Sequence, residues 1–556
     1  MTGELVTPHL RGLMAATPAL GTRFMAVPRR SPAPVHHFLE PVADAATMRT
    51  LAKAAIDAAM HAGAEWADIR LGDQRTYGGH PASVTYSFGL RVRVGGVEAF
   101  VGGGDPTTDR LARAAQSAVA TARGLARAPD ANATPNPAAA ASHVTLVTAA
   151  LHTTGDKGAL PPVPVVMGEW RAPIETDPFA ISIDEHDHVN QTLNGLEDVR
   201  LAGMHVRRYV DYMFRAETRV NASSDGSLLT QYLSDVIIRG NVVRGGNWRM
   251  RGPGEELILS FPGGSCTGGF EVIARLHRFD QLEQMAQELH RYEVMPGGMI
   301  DVGRYNVVFD GAAHAGLVQA AMVPALSLRR ALGYDADISG TSPLRPINEV
   351  VQRQIFSPAL SLRVEHAPPA FGACRWDAEG VAATSGPLIT NGTVVNYITT
   401  RATHAILATR LSGDVPSLLG CAVATRASDP PTEVPASLSV PAAATGGTLD
   451  ELARQMGTGL VVRGGYTVVN PDGTGGRTVS PMMMFEVKGG QLVRRLYGAS
   501  LQFGTKKLFK SLKALGNAST LGENTRQTYM GLPPRRMETS VAAPAALYTG
   551  IDVLNH

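Results

Sequence analysis

Residues 46–71, ATMRTLAKAAIDAAMHAGAEWADIRL, join a helix directly to a strand. The first nineteen residues are rich in good helix formers, and Met48, Leu51, Ala55, Ile56 and Met60 recur at helical spacing. Gly63 is a stop signal, and Trp66 to Leu71 then alternates like a strand. Two more alternating runs follow, Ser83 to Leu90 and Arg91 to Val101, with Gly95-Gly96 at a hairpin turn. A second helix is expected from Thr108 to Leu125, capped by Thr108 or Asp109. Helix, strands, helix is an α+β opening rather than a repeated βαβ unit.

Working outward, residues 1–44 show no clear periodicity and read as an arm. Arg29-Arg30 resembles a twin-arginine pair, but no apolar run of signal-peptide length follows it. Residues 127–180 are rich in Ala, Pro and Asn and read as a linker or surface excursion with one short strand at His143 to Val147. Helical patterning resumes at Asp184 to Leu201. Strands are expected at His205 to Phe214, Glu217 to Val220 and Leu228 to Val243, with a turn at Asn221 to Gly226. A helix over Phe270 to Glu293 closes an N-terminal domain at about residue 300.

The second half opens on the buried-strand pattern Tyr305 to Asp310 and a long apolar helix, His314 to Leu332. That helix is apolar or small almost all round, so every side needs cover; one face suits the adjoining sheet and the other needs a domain or a subunit. Pro324 predicts a kink or break near Ala320. The remainder is mostly short strands with Gly-rich turns, apart from a helix capped by Thr448 and ending near Met456. The expected fold class is therefore α+β: an N-terminal helix-and-antiparallel-sheet domain over 45–300, a mostly β C-terminal domain over 301–545, and a tail over 546–556.

Of the 556 residues, 44% are hydrophobic and 18% charged, as in an ordinary globular chain. Lys+Arg 51 against Asp+Glu 49 gives +2, which excludes a general nucleic-acid binder. No apolar run is long enough for a membrane span. Cys266, Cys374 and Cys421 are far apart, form no CxxC pair, and suit a reducing, cytoplasmic setting.

The densest polar cluster is Asp184-Glu185-His186-Asp187-His188. Two histidines with carboxylates are metal-ligand types, but at i and i+2 of a helix they point about 200° apart. The alternative is a solvated helix start whose acids favour the helix dipole. His314 has only Ala and Gly beside it, and Val318 and Gln319 one turn on. No HExxH, Walker A, Rossmann fingerprint or GxSxG elbow occurs, and no Cys has an obvious His partner.

Several segments in order resemble the TldD/PmbA family, once described as modulators of DNA gyrase and now as TldD/TldE-type zinc metallopeptidases. They are the opening helix with Glu65 to Arg70, Pro178-Phe179 with Ile183 to His186, the turn Asn221 to Gly226, Arg375 to Val381 with Gly392 to Tyr397, and the ending Gly498 to Gly516. The most specific is Met456-Gly457-Thr458-Gly459-Leu460-Val461-Val462, similar to the zinc-less PmbA/TldE-type members. The resemblance implies paired subunits enclosing a cavity, extended peptides held by strand addition, and zinc on an HExxxH helix of one subunit. In this chain those helix positions read Ala320, Ala321 and Ala325, and no Cys follows Cys421 to serve as the family's further ligand.

The resemblance thus implies a non-catalytic TldE-like subunit with no zinc or other cofactor of its own, a zinc-bearing TldD-like partner, and unfolded peptide as ligand. The alternative is a stand-alone homo-oligomeric structural or peptide-binding protein without activity. A third reading is an active metallopeptidase with a zinc site built from His186, His188 or His314.

Overall fold

The computed structural model describes residues 40–78, 80–127, 160, 163–182, 184–187, 189, 199–201, 204–244, 258–260, 264–275, 285, 287–292, 294–336, 340–411, 413–471, 476–530 and 535–555. The strand expected at His143 to Val147, most of the arm, and much of the helix expected beyond Asp184 lie outside them.

Helix α1 (Ala45–His61) is capped by Asp44, whose side chain accepts from the Thr47 N–H. Its buried stripe is Met48, Ala52, Ala55, Ile56 and Ala59, while Met60 is exposed. The small side chains let it pack closely on α2 (Thr108–Arg127), which buries Leu111, Ala115, Ala118, Val119 and Ala122. Both helices cover one face of a sheet built from β1 (Trp66–Gly78), β2 (His80–Val94), β3 (Val97–Gly104), β4 (Met167–Arg171), β5 (Met204–Ser223) and β6 (Leu228–Arg244). The order is β3-β2-β1-β5-β6-β4, antiparallel except for β4 beside β6. The two strands expected at 205–214 and 217–220 are one twenty-residue strand, β5. A second patch on this sheet, Tyr212, Phe214, Val236 and Ile238, packs with Phe270 and with Met483 and Phe485 of the C-terminal half.

The C-terminal half holds two sheets. Strands β7 (Gly303–Phe309), β13 (Gly459–Pro471), β14 (Gly476–Lys488), β15 (Ala499–Gly504) and β18 (Ala546–Asn555) pair in a closed circuit, β14-β13-β7-β18-β15-β14. The other sheet contains β8 (Leu362–Val364), β9 (Gly386–Thr390), β12 (Ser437–Ser439), β16 (Gly522–Met530) and β17 (Arg535–Ala543), in the order β9-β8-β12-β17-β16, with β16 at the edge. A two-strand ribbon, β10 (Ala422–Val423) with β11 (Thr432–Glu433), stands apart.

The tail expected over 546–556 is instead β18, paired with β7 on one side and β15 on the other. Its residues Ala546, Leu547 and Tyr548 are all buried, so both faces of the strand are covered. The long apolar helix is α3 (Gly311–Leu326), capped by Asp310 through the Ala313 N–H. It is buried all round within the one chain, between the β16–β17 hairpin and β13, so its apolar circumference needs no second subunit. Fully burying Leu317, Met322 and Leu326 is worth about 1.5–3 kcal/mol each.

The break in this helix falls at Ser327, not near Ala320. Ile398 sets it: its N–H donates to Leu326 O at 2.9 Å, and its carbonyl accepts from Leu328 N at 3.1 Å. Extended pairing therefore interrupts the helix before the short α4 (Leu328–Ala331) begins. Further on, α5 (Arg401–Arg410) is capped by Thr400, and α6 (Leu449–Met456) by Thr448 in a reciprocal capping box with Glu451. Of the helix expected over 270–293, Glu271–Arg275 and residues 287–292 are helical and 276–284 lie outside the described residues.

A chain ending at residue 545 loses the strand between β7 and β15. It is expected to give no soluble protein with a cooperative unfolding transition, which expression and circular dichroism of the truncated chain will check.

Candidate functional site

The face of the N-terminal sheet away from α1 and α2 is polar. Register across four strands makes two rows: Ser83, Thr76, Arg215 and Asp235, then Thr85, Gln74, Glu217 and Leu233. These rows floor a cleft of about 420 Å³. Its opposite wall comes from Phe371 to Cys374, the β10 segment, and Gln527, Met537 and Glu538 of the β16–β17 hairpin. Arg215 bonds Asp235 at 2.8 Å and lies 3.6 Å from Glu538, with its guanidinium 5.6 Å from the Phe371 ring. Arg219 holds Glu217 in a two-point pair at 3.0 and 2.6 Å. Asp235 also accepts from Thr267 Oγ1 and the Gly372 N–H, both at 3.0 Å, so the floor is rigidly cross-tied.

Beyond the cleft the same face becomes a clamp on the loop Arg375 to Val381. The Gln231 amide accepts from the Arg375 and Trp376 N–H groups and donates to Trp376 O at 2.9 Å. Arg70 donates to Ala378 O at 2.8 Å and Ala427 O at 3.0 Å. Asn221 donates to the same Ala378 carbonyl at 3.2 Å. Buried Arg91 pairs with Asp68 and with Glu379 of the loop. Glu379 in turn accepts from the Arg401 N–H at 2.7 Å, at the start of α5. The Arg91 and Arg401 guanidiniums both lie over the Trp66 ring, at 5.1 and 5.2 Å from its centre. The loop 427–429 comes so close that a Cβ on Gly89 would sit 2.3 Å from Ala427 O, and one on Gly102 2.0 Å from Ser428 O.

Burial governs the titratable groups around the cleft. Burial pushes the Cys374 thiol up to about 12, against the pull of Arg219. His366 lines the cleft, and its Nε2 is 3.9 Å from Cys421 Sγ. Burial lowers that imidazole to about 4 and raises the Cys421 thiol, so the pair is neutral thiol and neutral ring, not thiolate and imidazolium. Burial and the neighbouring Glu379 also raise Asp377, although its oxygens accept from the Glu379, Val381 and Ala422 N–H groups. In the β10–β11 ribbon burial raises Glu433 to about 7; it accepts from Thr403 Oγ1, Ser327 Oγ and the Arg329 N–H.

The residues singled out in the sequence fall elsewhere. His186 is neither a solvated helix residue nor a ligand in waiting. It is buried, with Nε2 2.7 Å from Pro178 O, among Tyr77, Tyr212, Phe214 and Phe270. His188 lies outside the described residues. His314 is fully buried between Pro544 O at 2.7 Å and the Tyr548 hydroxyl at 2.9 Å, with both ring nitrogens used. Among the described residues no three His, Cys, Asp or Glu side chains converge to hold a metal ion.

Ala320 is half-buried on α3, and Ala321 and Ala325 are closed in the core. Beside them the Gln319 amide is consumed by Arg526 O, Thr539 O and Asn524. The donor set at these three positions does not fit zinc, which needs nitrogen, sulfur or carboxylate ligands. The cleft itself was missed. Its one signal is the alternation Arg215, Glu217, Arg219 between Phe214, Ala216 and Val220, which marks a charged strand face that must meet partners.

Residues 302–554 match the family model described as the PmbA/TldA metallopeptidase C-terminal domain. A metalloprotease of Methanothermobacter thermautotrophicus is 23% identical over 315 residues, which span 56% of this chain and 63% of that protein. Among solved structures, a protein from Thermotoga maritima described as a modulator of a DNA gyrase superposes with a TM-score of 0.65 at 12% identity, over 91% of this chain and 100% of its own. TldE from Thermococcus kodakarensis gives 0.61 at 13% identity, over 91% and 100%. A Bacteroides thetaiotaomicron protein, also described as a DNA gyrase modulator, gives 0.61 at 15% identity, over 91% and 99%. At these identities the structures show a shared fold.

Glu433 supplies a pH signature of the ribbon that walls the cleft. Its folded value, about 7, is above its ordinary 4.5, so its stabilising contribution is full below about 4.5 and fades as pH rises through about 7. Glu433→Gln mimics the protonated form. The variant is expected to match the parent near pH 4.5 and to exceed its unfolding free energy by on the order of 3 kcal/mol near pH 8. Urea titrations across that range will check the divergence.

Proposed function

We propose that this chain, whose residues 302–554 match the PmbA/TldA metallopeptidase C-terminal domain, is a non-hydrolytic, TldE-like subunit of the TldD/PmbA family that builds and walls a peptide-holding chamber beside a zinc-bearing homologue. The observation that carries this reading is alanine at all three positions, Ala320, Ala321 and Ala325, that the family resemblance assigns to ligands and base. Without a metal-activated water or an activated nucleophile, a subunit keeps only its binding surfaces. The polar cleft and the edge strand β16 are supporting features, because an extended peptide adds to a sheet edge through its backbone and meets side chains in the adjoining groove. No helix among the described residues is long and apolar enough to cross a membrane; the reading places the assembly in the cytoplasm, where unfolded peptide is the ligand.

The test is co-purification with a homologue of the same host that carries an intact HExxxH. The isolated chain is expected to hold no stoichiometric zinc and to leave unstructured peptides uncut, and the mixed complex to cut them in a chelator-sensitive way. One tightly held zinc per isolated chain, or chelator-sensitive cleavage by it alone, overturns the proposal. Cleavage by neither, with a homogeneous oligomer of this chain, transfers the case to the stand-alone binding protein. The triple variant Ala320→His, Ala321→Glu, Ala325→His is expected to gain no activity. Placing large polar groups at two core alanines costs about 2 kcal/mol or more each, and no further ligand is built for the metal.

A further inference from the structure

The charges of the cleft are graded from its interior to its mouth. Inside, two guanidiniums, Arg215 and Arg219, serve three carboxylates, Asp235, Glu538 and Glu217. At the mouth stand Arg426 and Arg536, both exposed and both lining the opening. Among the described residues neither guanidinium has an acidic partner; the nearby Asp429 accepts from the Arg426 backbone N–H and pairs its carboxylate with Arg535. The two free cations share one lip, because Thr425 Oγ1 donates to Arg536 O at 3.2 Å. Gln74 Nε2 ties Thr425 O to the cleft floor at the same distance. Below this lip lie the half-buried apolar side chains Met213 and Leu233, backed by buried Phe371 and Met537.

We propose that the cleft binds a peptide by a carboxylate held at Arg426 and Arg536, with the neighbouring apolar side chain set down against Met213 and Leu233. A guanidinium pair is the natural receptor for a planar carboxylate. The excess of acid inside repels that carboxylate from the depths, so the ligand is oriented with its charge at the lip. The volume is that of a small-ligand pocket and exceeds what an inorganic anion fills. The floor's hydroxyl and amide groups, Thr76, Ser83, Thr85 and Gln74, suit peptide N–H and C=O groups. This deepens the peptide-binding reading and rests on it for the ligand class, but its test reads binding rather than cleavage or subunit pairing, so either can fail alone.

The experiment is calorimetric titration of the full chain with N-acetyl-Ala-Leu-Leu as the free acid, with its C-terminal amide, and with an amide in which glutamate replaces the middle leucine. At least one carboxylate-bearing ligand is expected to bind about tenfold or more tighter than the plain amide. Which one does so tells a chain terminus from an acidic side chain. The preference is expected to shrink at about 0.5 M salt, since the lip is exposed. Arg426→Ala with Arg536→Ala, both surface changes, is expected to abolish the preference while the unfolding midpoint stays put. Equal binding of all three ligands, binding of none, or an unchanged preference in the double variant overturns the proposal. Cleavage by the mixed complex alongside any of those results leaves the subunit role standing and removes only this site.

Discussion

Two buried guanidiniums set the terms for the rest of the molecule. Arg70 and Arg91 stand in the middle of the N-terminal sheet, where a charge without partners would cost several kcal/mol. Their own sheet supplies Asp68 and, at 3.9 Å from Arg91, Glu98. The remaining partners come from the other half of the chain: Glu379, the Ala378 carbonyl and the Ala427 carbonyl. Burial lowers Arg70 to about 10, while the surrounding acids outweigh burial at Arg91 and raise it. The N-terminal sheet is therefore electrostatically complete only when the C-terminal half is docked on it.

The docking loop is built to be held by its backbone. Asp377 folds the turn by accepting from the Glu379 and Val381 N–H groups, and this presents the Trp376 and Ala378 carbonyls to Gln231, Arg70 and Asn221. Glycines at 89 and 102 admit the companion loop at a spacing that any side chain would forbid. The cleft is what is left where the sheet face runs past this clamp toward Asp235 and Arg215. Its floor is a continuation of the same register rows, so its geometry is fixed by sheet pairing and by the clamp, not by a mobile loop.

What the sequence made legible follows from how local each signal is. The start of α1 was readable from its run of helix formers, and that of α6 because Thr448 caps within three residues of itself. The run Met456 to Val462 was readable because its glycines are conformationally required: Gly457 has φ 73° and Gly459 has φ 156° with Asn306 O where a Cβ would fall. Arg375 to Val381 stood out as a motif, and the structure gives its reason in the clamp. The unread features are long-range. The circumference of α3 looked like an interface because nothing local tells a helix between two sheets of its own chain from one at a subunit contact. His186 looked like a surface acid-and-histidine cluster because the aromatic residues that enclose it come from 77, 212, 214 and 270. The cleft was invisible for the same reason, since its walls are drawn from stretches scattered between Gln74 and Glu538.

The alanine helix and the cleft are joined by one hairpin. On α3, Gln319 donates to the carbonyls of Arg526 and Thr539, which face each other across β16 and β17. The next pair in that register is Gln527 with Glu538, and both line the cleft. Gln319 is the residue immediately before Ala320, so the helix segment that lacks metal donors also fixes the height of the cleft wall. Alanine at positions 320, 321 and 325 places no metal-donor atom there. It leaves the packing of α3 against β16 and β17 to be decided by core contacts and by one glutamine. Through this hairpin Glu538 reaches Arg215 on the floor, while β16 forms the edge of its sheet.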